Sequence, residues 1–186
     1  MAIAPLYRKM WFIENIILLV FLFILIPSYK YFKFSNLSYT LIFLFCVLQT
    51  IGAHYTYALV PFDFVTRLFG FERNHYDRLV HFCFGFFLSL PIWEFFVRTS
   101  RIHQWGFWAF FVPILFAFGS GAAYESIEMG FALFSDPQAS DAFLGSQGDV
   151  WDAQKDMALA GFGSVLAMVL VFVFFRKTEF FPLGSF

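Results

Sequence analysis

The sequence predicts an all-α protein: a polytopic transmembrane bundle of about five helices, with length enough for a sixth. Two bulk properties and one pattern predict it. Of 186 residues, 60% are hydrophobic and 24% aromatic, and the mean hydropathy is +0.72. That is more apolar surface than a soluble core of this length can hide. Five stretches also reach or approach the roughly 20 apolar residues that cross a hydrocarbon layer. The formal net charge of -1 excludes the large basic surface of a nucleic-acid binder.

The first span runs from Met10 to Pro27 and is interrupted by Glu14 and Asn15. No small-residue cleavage site follows "ILIPSYKYF", so it reads as a retained helix rather than a signal peptide. The others are Leu37 to about Val60, Leu79 to Val97, Trp105 to about Gly130, and Met157 to Phe175. "GSGAA", Gly119 to Ala123, places small residues where helices approach closely, and Gly161 and Gly163 carry the same expectation. Trp11, Trp105 and Trp108 suit an interfacial belt. Cys46 and Cys83 lie in apolar runs as small buried thiols and form neither a disulfide framework nor a zinc site. No internal repeat occurs, so residues 1–186 read as a single integral membrane domain with its motifs in about 50–165.

Because spans alternate direction, polar residues can be sorted by membrane side. Five spans put the N-terminus, the second loop and the fourth loop on one side. That side holds ten of the thirteen acids: Asp63, Glu72, Asp77, Glu125, Glu128, Asp136, Asp141, Asp149, Asp152 and Asp156. His54, His75 and His81 are near it too. Glu94, with Arg98 at i+4, reads as a plain ion pair at the other end.

The motifs on the acidic side have helical register. "RNHYDRLVHF" places Asp77 and His81 one turn apart, "AAYESIEMGF" does so for Glu125 and Glu128, and "IGAHYTYA" for His54 and Tyr57. "GDVWDAQKDM" spaces Asp149, Asp152 and Asp156 at i, i+3 and i+7, one face if helical. Lys155 would then point elsewhere. Glu72, Asp136 and Asp141 have no helical register and read as solvated loop acids.

Carboxylates crowded together raise one another's pKa unless something positive joins them. Hard oxygen donors with one or two imidazoles suit magnesium, calcium or manganese. The expected ligands of such a divalent cation are Glu125, Glu128, Asp149, Asp152 and Asp156. His81 is the candidate general base or nucleophile, Asp77 its orienting partner, and His54 a further catalytic candidate. Arg73 and Arg78 are candidate phosphate ligands. The loop "FSDPQASDAFLGSQGD" has the Pro, Gly and Ser content of a flexible cap or, equally, of a disordered connector.

"IGAHYTYA", "RNHYDRLVHF", "GSGAAYESIE" and "DAFLGSQGDVWDAQKDMALA" together resemble the signature blocks of the YjdF-like family of bacterial inner-membrane proteins. The resemblance implies a multi-pass protein of the inner membrane. More distantly, the order Asp77, His81, Phe82, Glu125, Glu128, Asp152, Asp156, Gly161 is similar to the VanZ-like membrane proteins. Glu128 stands where glutamine is usual there, and Asp156 where asparagine is, which makes this version more acidic. The same succession resembles the base-exchange phosphatidylserine synthases, which implies calcium-dependent head-group chemistry on a membrane lipid.

The leading expectation is therefore a metal-dependent membrane enzyme acting on a lipid phosphate or head group. Two alternatives stand beside it: a proton- or ion-coupled transporter, and a non-catalytic envelope or resistance protein. Basic residues outside the motifs (Lys30, Lys33, Arg98, Arg101, Arg176 and Lys177 against Arg8, Lys9 and Arg67) put the site on the face away from the cytoplasm.

Overall fold

The computed structural model describes residues 2–100, 102–134, 144 and 146–176. Asp136, Asp141 and most of the expected capping loop lie outside the described residues, as do Arg101 and Lys177. Six helices are described, with no strand among these residues: α1 (Arg8–Ser28), α2 (Asn36–Tyr55), α3 (Asp63–Phe69), α4 (Tyr76–Ser100), α5 (Phe107–Leu133) and α6 (Asp152–Phe175). All but α3 are long and apolar enough to cross a membrane.

The five expected spans are present, with shifted ends that matter for the site. α2 stops at Tyr55 instead of near Val60, because Thr56 and Tyr57 both take left-handed backbone angles, φ 54 and φ 50. The Tyr57 N–H then closes back on the Gly52 carbonyl at 2.9 Å. α4 starts at Tyr76 and α6 at Asp152, so Asp77 and Asp152 belong to the first turns of continuous helices. The short α3 ends on Gly70 at φ 65, where a glycine takes the left-handed cap without strain.

α4 lies at the centre: 61% of its apolar window is buried, against 17% for α1. It packs on α2, α5 and α6, while α1 rests on α2. Lipid tails compete for apolar surface, so helices in a bilayer associate through close backbone approach more than through burial. The α4–α6 contact shows this. A Cβ added at Gly85 would lie 1.8 Å from the Ala160 carbonyl oxygen, and one at Gly163 would lie 2.2 Å from that of Phe82. The hydroxyls of Ser89 and Ser164 bond across the same seam. Gly119 behaves otherwise than expected: it is exposed, with nothing within 4 Å of its would-be Cβ. On α5 the helix-facing glycine is Gly121, against Met157 and Ala160, on the opposite side of the helix from Gly119.

At the end of the bundle away from the acids, Glu94 does more than pair with Arg98 at 2.7 Å. It is 1% exposed and accepts from the Ser35 N–H at 2.8 Å and the Ser38 hydroxyl at 2.7 Å, so a side chain of α4 caps α2. Replacing Glu94 with glutamine keeps the shape but weakens these charge-assisted bonds. It should cost about 2 kcal/mol, seen as a lower Tm of the purified protein with the acidic end unaltered.

Candidate functional site

The acidic end is assembled by antiparallel geometry. α4 and α6 enter it with their first turns and α5 with its last, and the glycine seam holds α4 against α6. One ligand atom each from Asp77, His81 and Asp156 lies within 4.8 Å of the others. The Nε2 of His81 is 3.7 Å from Asp77 Oδ1 and 3.5 Å from Glu125 Oε1. These separations are too long for good hydrogen bonds. They match groups that share an ion, since ligands 2.0 to 2.6 Å from one cation stand about 3 to 4 Å apart. Asp156 is 1% exposed, and its Oδ1 has no hydrogen-bond partner among the described residues. A buried, unsatisfied carboxylate oxygen carries a large desolvation penalty unless something positive meets it. Glu128, one turn beyond Glu125, is buried and within electrostatic reach of Asp77, Glu125 and Asp156, but it is not one of the converging three.

Asp149 and Asp152 form a separate outer tier. Arg73 Nη1 donates to Asp152 Oδ1 at 2.6 Å and to the Ser146 carbonyl at 2.7 Å, and lies 3.7 Å from Asp149 Oδ2. Arg78 Nη2 donates to Asp149 and, at 3.1 Å, to Asp152 Oδ1. Lys155 Nζ reaches Asp149 Oδ2 at 2.6 Å. Two expectations are corrected here. Asp149 does not share a helical face with Asp152 and Asp156, because α6 begins only at Asp152 and the backbone before it is a turn. Lys155 accordingly folds back onto Asp149 instead of pointing away. The Lys155 ammonium, the Trp151 N–H and the Arg78 guanidinium together hold the Asp149 carboxyl below the ordinary carboxylate range. Burial, then the guanidinium groups of Arg78 and Arg73, lowers His75, whose Nδ1 faces Arg78 Nη1 at 3.2 Å and accepts from it as neutral imidazole.

His54 lies at the end of α2. Its ring meets Tyr55 edge-on at 4.6 Å, its carbonyl accepts from the Leu6 N–H at 3.1 Å, and it is not among the converging ligand atoms. The early end of α2 removes the helical register that paired it with Tyr57.

Three residues at this end went unassigned in the sequence. Glu14 of α1 is 4% exposed and accepts from the Tyr124 hydroxyl at 2.9 Å. Tyr124 in turn meets the His81 ring edge-on, centroids 5.8 Å apart. The Tyr57 hydroxyl is buried beside Tyr124, within electrostatic reach of Glu14, Asp77 and Glu128. A signal for Glu14 existed: a lone acid in an apolar span is costly and marks function more often than accident.

The profile of one protein family, described as "Predicted membrane protein (DUF2238)", matches residues 1–177. The chain belongs to this family. It is 36% identical over 162 residues to Inner membrane protein YjdF of Escherichia coli (strain K12), covering 87% of this chain and 77% of that relative. No solved structure matches. With five helices able to cross a bilayer, this DUF2238 chain is a multi-pass protein of the bacterial inner membrane.

Proposed function

We propose that this DUF2238 protein is a metal-dependent enzyme acting on the phosphate or head group of a membrane lipid, by phosphoryl or phosphatidyl transfer or by hydrolysis, at one membrane face. The observation that carries the reading is the buried Oδ1 of Asp156, without a hydrogen-bond partner among the described residues, beside Asp77 and His81. Two carboxylates and one imidazole, with Glu125 adjoining, suit magnesium, calcium or manganese. Asp77, His81 and Asp156 would hold the ion, with Glu125 and Glu128 completing its acidic surroundings. Asp149 and Asp152 already have cationic partners and serve the outer tier.

A bound divalent cation would polarise a phosphoryl oxygen. The protein's own contribution is recognition. Arg73, in the loop before α4, and Arg78, in its first turn, each turn one guanidinium nitrogen onto Asp149 and Asp152. An incoming lipid phosphate can take the place of those carboxylates, since both offer oxygens in the geometry guanidinium prefers. Beside the general-base or nucleophile role expected of His81, convergence of its Nε2 on Asp77 and Glu125 supports a ligand role.

The test is twofold. Mn2+ titrated into protein in lipid nanodiscs and followed by electron paramagnetic resonance should show one tightly held ion per chain. Cells expressing the wild type should differ in phospholipid profile from cells expressing His81→Ala. No bound Mn2+ together with identical lipid profiles sinks the reading. The burial of Glu14 inside a span favours a second one, proton- or ion-coupled transport. It predicts ion flux in proteoliposomes that Glu14→Gln abolishes while lipid composition stays constant.

A further inference from the structure

Glu14 is the buried acid that the arrangement above leaves unused. It is on α1, the helix most exposed to lipid, yet 4% of the residue is exposed and its carboxylate is turned inward. Its Oε2 fixes the Tyr124 hydroxyl at 2.9 Å. The Tyr124 ring lies edge-on to His81, at 5.8 Å and 74°. A side chain on α1 is thus linked through one hydroxyl and one ring contact to the imidazole of α4. Asp77 and Glu125 flank that imidazole from its Nε2 side. Tyr57, the other phenol at this depth, is buried beside Tyr124 and within electrostatic reach of Glu14.

We infer that Glu14 is a positioning residue for the metal centre: acting through the Tyr124 hydroxyl, it locks the Tyr124 ring against His81 and so fixes the imidazole that faces the ion. The inference rests on the metal reading above. Its physical logic is that of outer-shell partners in metal sites, which hold a ligand's orientation and whose loss typically lowers affinity about 10- to 100-fold. It explains why a span would carry a buried acid that contributes no ligand atom. It also makes α1 a wall of the site instead of a lipid-facing accessory.

The experiment is a Mn2+ affinity series in nanodiscs on the wild type, Glu14→Ala, Glu14→Gln, Tyr124→Phe and the Glu14→Ala/Tyr124→Phe double variant. Glu14→Ala and Tyr124→Phe should each weaken binding roughly 10-fold or more, and the double variant should be no worse than either, because both break the same link. Glu14→Gln, whose amide oxygen still accepts from Tyr124, should keep most of the affinity. The nitrogen modulation from His81 in pulsed paramagnetic resonance should fade in the first two and persist in the glutamine variant. Unchanged affinity and modulation in Glu14→Ala, or additive losses in the double variant, overturn the inference while leaving the metal reading intact. A wild type that binds no Mn2+ overturns the metal reading itself. Should Glu14→Ala fail to fold, Tyr124→Phe against Glu14→Gln decides alone, since both keep the packing volume.

Discussion

Replacing Asp156 with asparagine should make the metal-free protein more stable and deprive it of its ion. The two effects have one cause. Asp156 is 1% exposed, faces Asp77 and His81, and leaves Oδ1 without a hydrogen bond among the described residues. A buried carboxylate among other carboxylates is held at a cost of several kcal/mol unless it is protonated or compensated. Asparagine has nearly the same volume without the charge, so the apo protein loses the repulsion. The same change removes a ligand, and Mn2+ affinity should fall by more than about 100-fold, beyond the loss typical of outer-shell changes. The combination separates a functional site from a structural one, because sites built for binding trade stability for chemistry. Thermal unfolding of the variant and the wild type, with and without Mn2+, checks it. A variant less stable than the metal-free wild type that still binds Mn2+ would show Asp156 to be a structural acid.

The other large effect is expected at the α4–α6 seam, 85 being the residue that matters most. Gly85→Val and Gly163→Val each drive a side chain into the facing backbone, at the Ala160 and Phe82 carbonyls respectively. No rotamer change relieves a clash with main chain, so the helices must separate. Each substitution should cost more than about 3 kcal/mol, and monodisperse protein should be lost in size-exclusion chromatography after solubilisation. Because the seam sets the distance between α4 and α6, any protein that does survive should also fail to bring Asp156 to Asp77. Gly119→Ala is the internal control. Nothing lies within 4 Å of its Cβ position, so it should be neutral or gain about 0.5 to 1 kcal/mol from the helix preference of alanine. Gly85→Val folding as well as Gly119→Ala would refute the backbone contact.

The amino-acid sequence by itself determined the class, the five spans and the gathering of acids at one end. These follow from properties that run along the chain: apolar length sets what can cross the bilayer, and alternation of direction sets which loops share a side. The register of Asp77 with His81 and of Glu125 with Glu128 was local too, one turn of one helix each. Tertiary structure alone decided the partners. Asp149 and Asp152 went to Arg73, Arg78 and Lys155. Asp156 joined Asp77 and His81, Glu14 found Tyr124, and Gly85, not Gly119, became the point of closest approach. The reason is that a membrane helix is apolar on its lipid face and its protein face alike, so hydropathy does not reveal how it is rotated. Rotation is what chooses among acids tens of residues apart, and it is set by the backbone fit of α4 against α6.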